Sequence, residues 1–215
     1  MKRFWRHNGL SVVLLGFFLG TLLVAQFQTG RLEYNKERAE RNLPPVGLRA
    51  YWRSPHFLEA TTENWESEFF QMFVYVALTV FLYQKGSAES NDPDRPHPKE
   101  VPLTRRSPWA ARQGGWIRKL YEHSLSLAFL ALFLISFLLH AASGARLRNE
   151  EETARGIPPV SMLEYMGSSR FWFESFQNWQ SEFLAIGSMV VLSIYLREKG
   201  SPESKPVNLP HAAHE

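Results

Sequence analysis

Asn64-Trp65-Glu66-Ser67-Glu68-Phe69 opens an apolar run that continues to Tyr83. Asn178-Trp179-Gln180-Ser181-Glu182-Phe183, 114 residues later, opens a second run that continues to Leu196. The same offset places Pro44-Pro45-Val46 on Pro158-Pro159-Val160, Tyr51 on Tyr165, Ser54 on Ser168 and Phe57 on Phe171. It also places Lys85-Gly86-Ser87 on Lys199-Gly200-Ser201, and Glu89-Ser90 on Glu203-Ser204. Between Gly30 and Ser90, 23 of 61 positions are identical to their counterparts, so the spacing predicts an internal duplication.

Each half carries a second apolar run upstream of its hexapeptide. Leu10–Phe27 contains only Ser11, Thr21 and Gln26 as polar side chains, and Leu125–Ala142 is similar. About 20 mostly apolar residues at 1.5 Å each cross a bilayer. The runs at 69–83 and 183–196 reach that length if helix extends into the aromatic stretch before them. The expectation is an all-α membrane protein with four transmembrane helices, arranged as two parallel helix-loop-helix repeats. Two spans return the chain to its starting side, so the repeats share one orientation, related by a twofold axis along the membrane normal. Residues 1–85 form the first repeat and 120–204 the second. Residues 86–119 form a basic, proline-rich linker and 205–215 a flexible tail. Lys2, Arg3 and Arg6 before the first run also resemble the n-region of a signal peptide, but the equivalent run in the second half argues for a span.

Composition narrows the chemistry. The chain has 215 residues, 45% hydrophobic and 21% charged, with a formal net charge of +3. With no cysteine, disulfides, thiolate nucleophiles and cysteine-ligated metals are excluded. There is no H-E-x-x-H, G-x-S-x-G, Walker A or G-x-G-x-x-G pattern. The reading is therefore non-enzymatic, with no cofactor, and lipid headgroups account for the positive charge without nucleic acid. The segments before the first helix, between the halves and after the last helix hold 14 Lys and Arg, against 10 in the two repeat loops. That bias predicts both termini in the cytoplasm. Within the linker, Trp109, Arg112, Trp116, Arg118 and Lys119 suggest a basic, aromatic segment on the inner membrane surface.

Local signals mark the outward loops. Ser54-Pro55 predicts an N-cap with proline at the first helical position, opening a helix that could run to Gln84. Ser161-Met162-Leu163-Glu164 fits a capping box. Gly16-Phe17-Phe18-Leu19-Gly20 is a G-x-x-x-G packing motif. Asn64, Glu68 and Gln71, at i, i+4 and i+7, share one helix face, and Asn178 and Glu182 repeat it. Trp65 and Trp179 mark headgroup depth, so each Glu lies at the membrane rim, where a carboxylate is a functional candidate. Gln26 and His140 correspond at the same offset and are expected near the two Glu side chains. The candidate polar cluster is thus Asn64, Trp65, Glu68, Asn178, Trp179, Glu182, Gln26 and His140. His211, His214 and Glu215 read as tail.

The duplicated N-W-E/Q-S-E-F, P-P-V and K-G-S-x-E-S motifs resemble an uncharacterised family of bacterial membrane proteins, known only as a domain of unknown function. The resemblance implies the bacterial plasma membrane and carries no catalytic residue. The expected function is a scaffold or accessory role among membrane proteins or within a homo-oligomer. The alternative is a small transporter or channel with Glu68 and Glu182 near its pathway.

Overall fold

The computed structural model describes residues 2–91, 102–153 and 155–211. Among them every regular element is a helix. Helix α1 (Lys2–Gly20) passes through a π-helical segment, Thr21–Gln26, into α2 (Phe27–Glu40). Short α3 (Leu48–Tyr51) precedes α4 (Pro55–Leu78). Helices α5 (Trp109–Arg112), α6 (Gly115–Glu122), α7 (Ser124–Thr153), α8 (Met162–Met166) and α9 (Ser169–Tyr195) follow. The core of the linker, 92–101, lies outside the described residues, as do His214 and Glu215.

Two helices are long and apolar enough to cross a membrane: Arg3–Glu40, taken through the π-helical segment, and Ser124–Thr153. No part of the apolar window of the first is buried by protein, and Leu14, Leu15, Phe17 and Phe18 are exposed along it. Helices α4 and α9 do not pass the same test. The last eighteen residues of α4 hold Glu63, Glu66 and Glu68, and α4 stops at Leu78, short of the expected Gln84. The apolar run beyond it breaks into turns, with the Phe81 and Leu82 amides both donating to the Leu78 carbonyl. In α9 the apolar residues follow a polar first half, Arg170 to Glu182.

The chain divides into two compact units. The first comprises residues 1–62 and 139–168. Its core is Tyr34, Tyr51, Phe57 and Leu147, flanked by Leu22, Phe27 and Val46. Phe27 meets Phe57 edge-on at 5.6 Å, and Trp52 stacks on Phe57 at 5.1 Å. The Asn35 amide clasps the backbone of Val46, accepting from its N–H at 2.7 Å and donating to its carbonyl at 3.1 Å. Asn149 clasps Val160 identically, at 2.8 and 2.9 Å. The Pro-Pro-Val segments are thereby tied to the helices that precede them, satisfying backbone groups that a loop leaves open. Between each helix and its clasp the chain turns through a positive φ, at Asn42 (57°) and Gly156 (74°). Both loop caps form as expected. Ser54 accepts from the Phe57 amide, and Ser161 and Glu164 complete the reciprocal capping box.

The second unit comprises residues 63–138 and 169–215. Phe70 is its aromatic hub, with ring centroids 4.4 Å from Trp179, 4.9 Å from Phe133 and 5.7 Å from Phe183. Both K-G-S-x-E-S segments fold alike. Gly86 and Gly200 take φ near +87° and +88°, and the Ser90 and Ser204 hydroxyls accept from the Gln84 and Glu198 amides. Positive φ is the region where glycine alone is unstrained, which accounts for a glycine at each position. The expected flexible tail is instead packed as far as His211. Lys205 is buried, its Nζ donates to the His211 carbonyl at 2.6 Å, and Arg197 donates to the Leu209 carbonyl at 3.2 Å. Burial, followed by the neighbouring Arg197 charge, pushes the Lys205 ammonium below its ordinary range. The His211 carbonyl oxygen is one acceptor for this buried cation.

Candidate functional site

Side chains buried in this protein are mostly polar. Glu59, Thr61, Thr62, Glu66, Ser67, Gln71, Ser136, His140, Ser143, Ser175 and Ser193 are all covered, while long stretches of Leu, Val and Phe face outward. That is the reverse of a water-soluble core. Much of the ladder sits on α4. Glu59, Glu63 and Glu66 follow at i, i+4 and i+7, with Thr62 beside them. They lie on successive turns of one face.

In the second unit α9 supplies donors to this face. The Asn178 amide donates to Glu63 Oε1 at 2.5 Å, and the Trp179 indole N–H donates to Glu66 Oε1 at 3.1 Å. Gln71 donates to the Glu182 carbonyl at 3.0 Å. Each carboxylate, Glu63 through the amide and Glu66 through the indole, is held in place while keeping lone pairs for a proton. Glu68 and Glu182 lie within electrostatic reach of each other, with Glu182 half-buried and Glu68 exposed. Asn64 is also exposed, and Trp65 is half-buried.

In the first unit a Glu59 carboxylate oxygen and a His140 ring nitrogen lie within 4.8 Å of each other, both residues buried. A carboxylate and an imidazole at that separation can share a proton or each offer one ligand atom to a cation. Ser143 Oγ is 3.4 Å from Thr62 Oγ1 one turn away. Gln26 donates to Thr61 Oγ1 at 3.2 Å. Gln26 and His140 therefore take partners on the first turns of α4, where the sequence placed them beside Glu68 and Glu182. Of the expected cluster, Asn178 and Trp179 engage carboxylates, but those of Glu63 and Glu66.

Glu59, Glu63 and Glu66 were the residues missed. Their i, i+4, i+7 spacing was visible. The 114-residue comparison hid them, because Phe173, Gln177 and Gln180 stand at the corresponding positions. Among the described residues the buried acids, Glu59 and Glu66, lie in the first half of the chain.

These features define an all-helical protein with two apolar helices of membrane-spanning length and a polar interior. The chain belongs to the family described as domain of unknown function (DUF6766), whose model matches residues 1–215. No curated protein and no solved structure matches it.

Proposed function

We propose that this chain is a four-span protein of the bacterial plasma membrane, with both termini cytoplasmic, that moves protons or small cations along the polar face of α4. It carries no enzymatic centre and takes no nucleic acid in this reading. The observation that carries it is the buried Glu66 carboxylate on α4, which accepts from the Trp179 indole N–H at 3.1 Å. In this reading α4 enters the bilayer at Thr61–Thr62, because Gln26, near the end of the first helix's apolar run, donates to Thr61. The contact of Thr62 with Ser143, just past the apolar run of α7, supports the same level. From Thr62 to Leu78 helix α4 runs ~24 Å at 1.5 Å per residue, and the following turns bring it near a ~30 Å hydrocarbon layer. Glu66 then lies roughly 6 Å and Glu68 roughly 9 Å below the boundary, deeper than the rim position their tryptophans suggest.

An ionisable side chain at that depth is costly and marks ion pathways or proton relays. Duplication accounts for the second pair of spans. It is supported by the Asn35 and Asn149 clasps, by positive φ at Asn42 and Gly156, and by the paired turns at Gly86 and Gly200. Parallel repeats of this kind place substrate sites at the repeat interface.

The test is flux in proteoliposomes with a trapped pH-sensitive dye and an imposed potential. Wild-type protein should acidify or alkalinise the lumen faster than empty vesicles, and Glu66→Gln should slow it at least tenfold. Dye traces equal to those of empty vesicles, or Glu66→Gln equal to wild type, would overturn the reading.

A scaffold role is the second reading. It is favoured by Phe173 and Phe176, 69% and 55% exposed on α9, which offer an aromatic rim to other membrane proteins or to a second copy. Photo-crosslinking from Phe173 in cells that yields a protein adduct would support it.

A further inference from the structure

We infer that residues 105–122 lie flat on an anionic lipid leaflet and hold its phosphates, making this segment a headgroup-reading surface rather than a passive linker. The inference rests on the membrane reading above but concerns a different part of the chain. Helix α6 is amphipathic. At 100° per residue Trp116, Leu120, Ile117 and Tyr121 occupy one continuous arc, and Arg118, Glu122 and Lys119 occupy the other. No protein covers the apolar arc well: Trp116 is 73% and Leu120 52% exposed, and Trp109 on α5 is 62% exposed. Trp at such positions seeks the headgroup level, where its ring is apolar and its N–H is wet.

Charge selects the occupant. Arg105, Arg106, Arg112, Arg118 and Lys119 face a single acid, Glu122, over this stretch. Glu122 pairs with Arg118, at 2.8 Å. A soluble acidic partner would match the cations but not the bare tryptophans. An anionic leaflet matches both, with phosphates for the cations and acyl chains for the rings. Position agrees. Helix α6 ends at the His123 cap, and α7, one of the two helices apolar enough to cross a membrane, begins at Ser124. The leaflet surface is therefore one residue away. Gly115, with φ of +66° and open space around it, lets α6 leave α5 at an angle that other residues resist.

The chain has no cysteine, so single labels are straightforward. Full-length protein carrying Leu120→Cys, Lys119→Cys or Phe18→Cys is labelled with an environment-sensitive dye. It is then reconstituted into phosphatidylcholine vesicles with or without three-tenths phosphatidylglycerol, and quenched with shallow nitroxide lipids for Leu120 and Lys119 and with mid-bilayer nitroxide lipids for Phe18. The Leu120 label should be quenched and blue-shifted several-fold more in the anionic vesicles, and the Lys119 label should stay aqueous. The combined variant Arg105→Gln, Arg106→Gln, Arg112→Gln should remove the lipid dependence. Each lost cation weakens attachment roughly fivefold. Equal quenching of Leu120 in both lipids, or none in either while Phe18 is quenched, overturns this proposal and leaves the spans standing. A Leu120 signal that follows protein-to-lipid ratio instead of phosphatidylglycerol content also overturns it, in favour of a second copy. Phe18 without quenching overturns both readings.

Discussion

The hydroxyl of Tyr51 stands where a Cβ on Gly30 would have to go, and the ring of Tyr165 stands 2.6 Å from where a Cβ on Gly144 would go. Both tyrosines are fully buried. Each loop is thus docked against its helix through a glycine that admits a tyrosine ring. The two glycines and two tyrosines share the 114-residue offset.

Gly30→Ala should destabilise the protein by ~1–3 kcal/mol, the usual cost of overpacking. The clash at Gly30 is chiefly with the hydroxyl, so Tyr51→Phe should recover part of that loss. Tyr51→Phe alone costs ~1 kcal/mol, because the hydroxyl bonds His56 Nδ1 at 3.1 Å. Gly144→Ala meets the Tyr165 ring as well as its hydroxyl, so Tyr165→Phe should rescue it less. Thermal unfolding in detergent of the four single and two double variants measures this. A strictly additive Gly30–Tyr51 cycle would refute the contact.

The Asn35 and Asn149 clasps give a second expectation. Asn→Ala at either position strips partners from a backbone N–H and a carbonyl. It should cost ~1–3 kcal/mol at each site. Asn→Asp retains the acceptor for the amide and loses the donor to the carbonyl, so it should fall between Asn and Ala. Amide exchange at Val46 and Val160 should accelerate in the matching variant only.

Local signals in the sequence were legible where the physics is local. Ser161 and Glu164 bond each other's backbone across three residues, so their box could be read without a fold. Gly86 and Gly200 were visible as a repeated pair. The partners of Gln26 and His140 were not, because both look along α4 to residues the repeat does not mark. The end of α4 was also obscure: Thr79–Tyr83 is as apolar as the helix before it, and nothing in the composition dictates the turn. Lys205 and Arg197 looked like ordinary tail charges, yet carbonyl oxygens that only the folded chain presents hold them.

Glu66 should prove more sensitive than the exposed Glu68. Glu66→Gln keeps an oxygen for the Trp179 indole N–H and should change stability little. Glu66→Leu leaves that buried donor without this acceptor and should cost ~1–3 kcal/mol. Glu68→Gln removes an exposed charge and should cost at most about 0.5 kcal/mol, or raise stability, because a neutral amide is easier to place at that depth. Denaturation followed by tryptophan emission ranks the three. A Glu68→Gln loss larger than that of Glu66→Leu would show the wrong carboxylate had been chosen.

The last expectation concerns pH at the two Lys-Gly-Ser turns. Glu89 Oε2 accepts the Tyr75 hydroxyl at 2.5 Å. Burial raises the Glu89 carboxyl above its ordinary range; the Tyr75 bond opposes this, and the Glu203 carboxylate adds to it. Glu89 and Glu203 are counterparts at the 114-residue offset, and their carboxylates oppose each other. A carboxyl whose folded pKa is raised contributes stability that is complete below the unfolded value, ~4.3, and that fades as pH rises through the folded value. Melting temperature should therefore fall as pH rises from the unfolded carboxyl value, ~4.3, towards neutral in the wild-type protein. Glu89→Gln can donate to Glu203 while still accepting from Tyr75, so it should melt higher at neutral pH and lose most of that slope. Glu203→Gln should flatten the profile in the same direction, because it removes the opposing charge. Wild-type melting that rises over that range, or a slope unchanged in both variants, would exclude the acid pair as the source of the pH dependence.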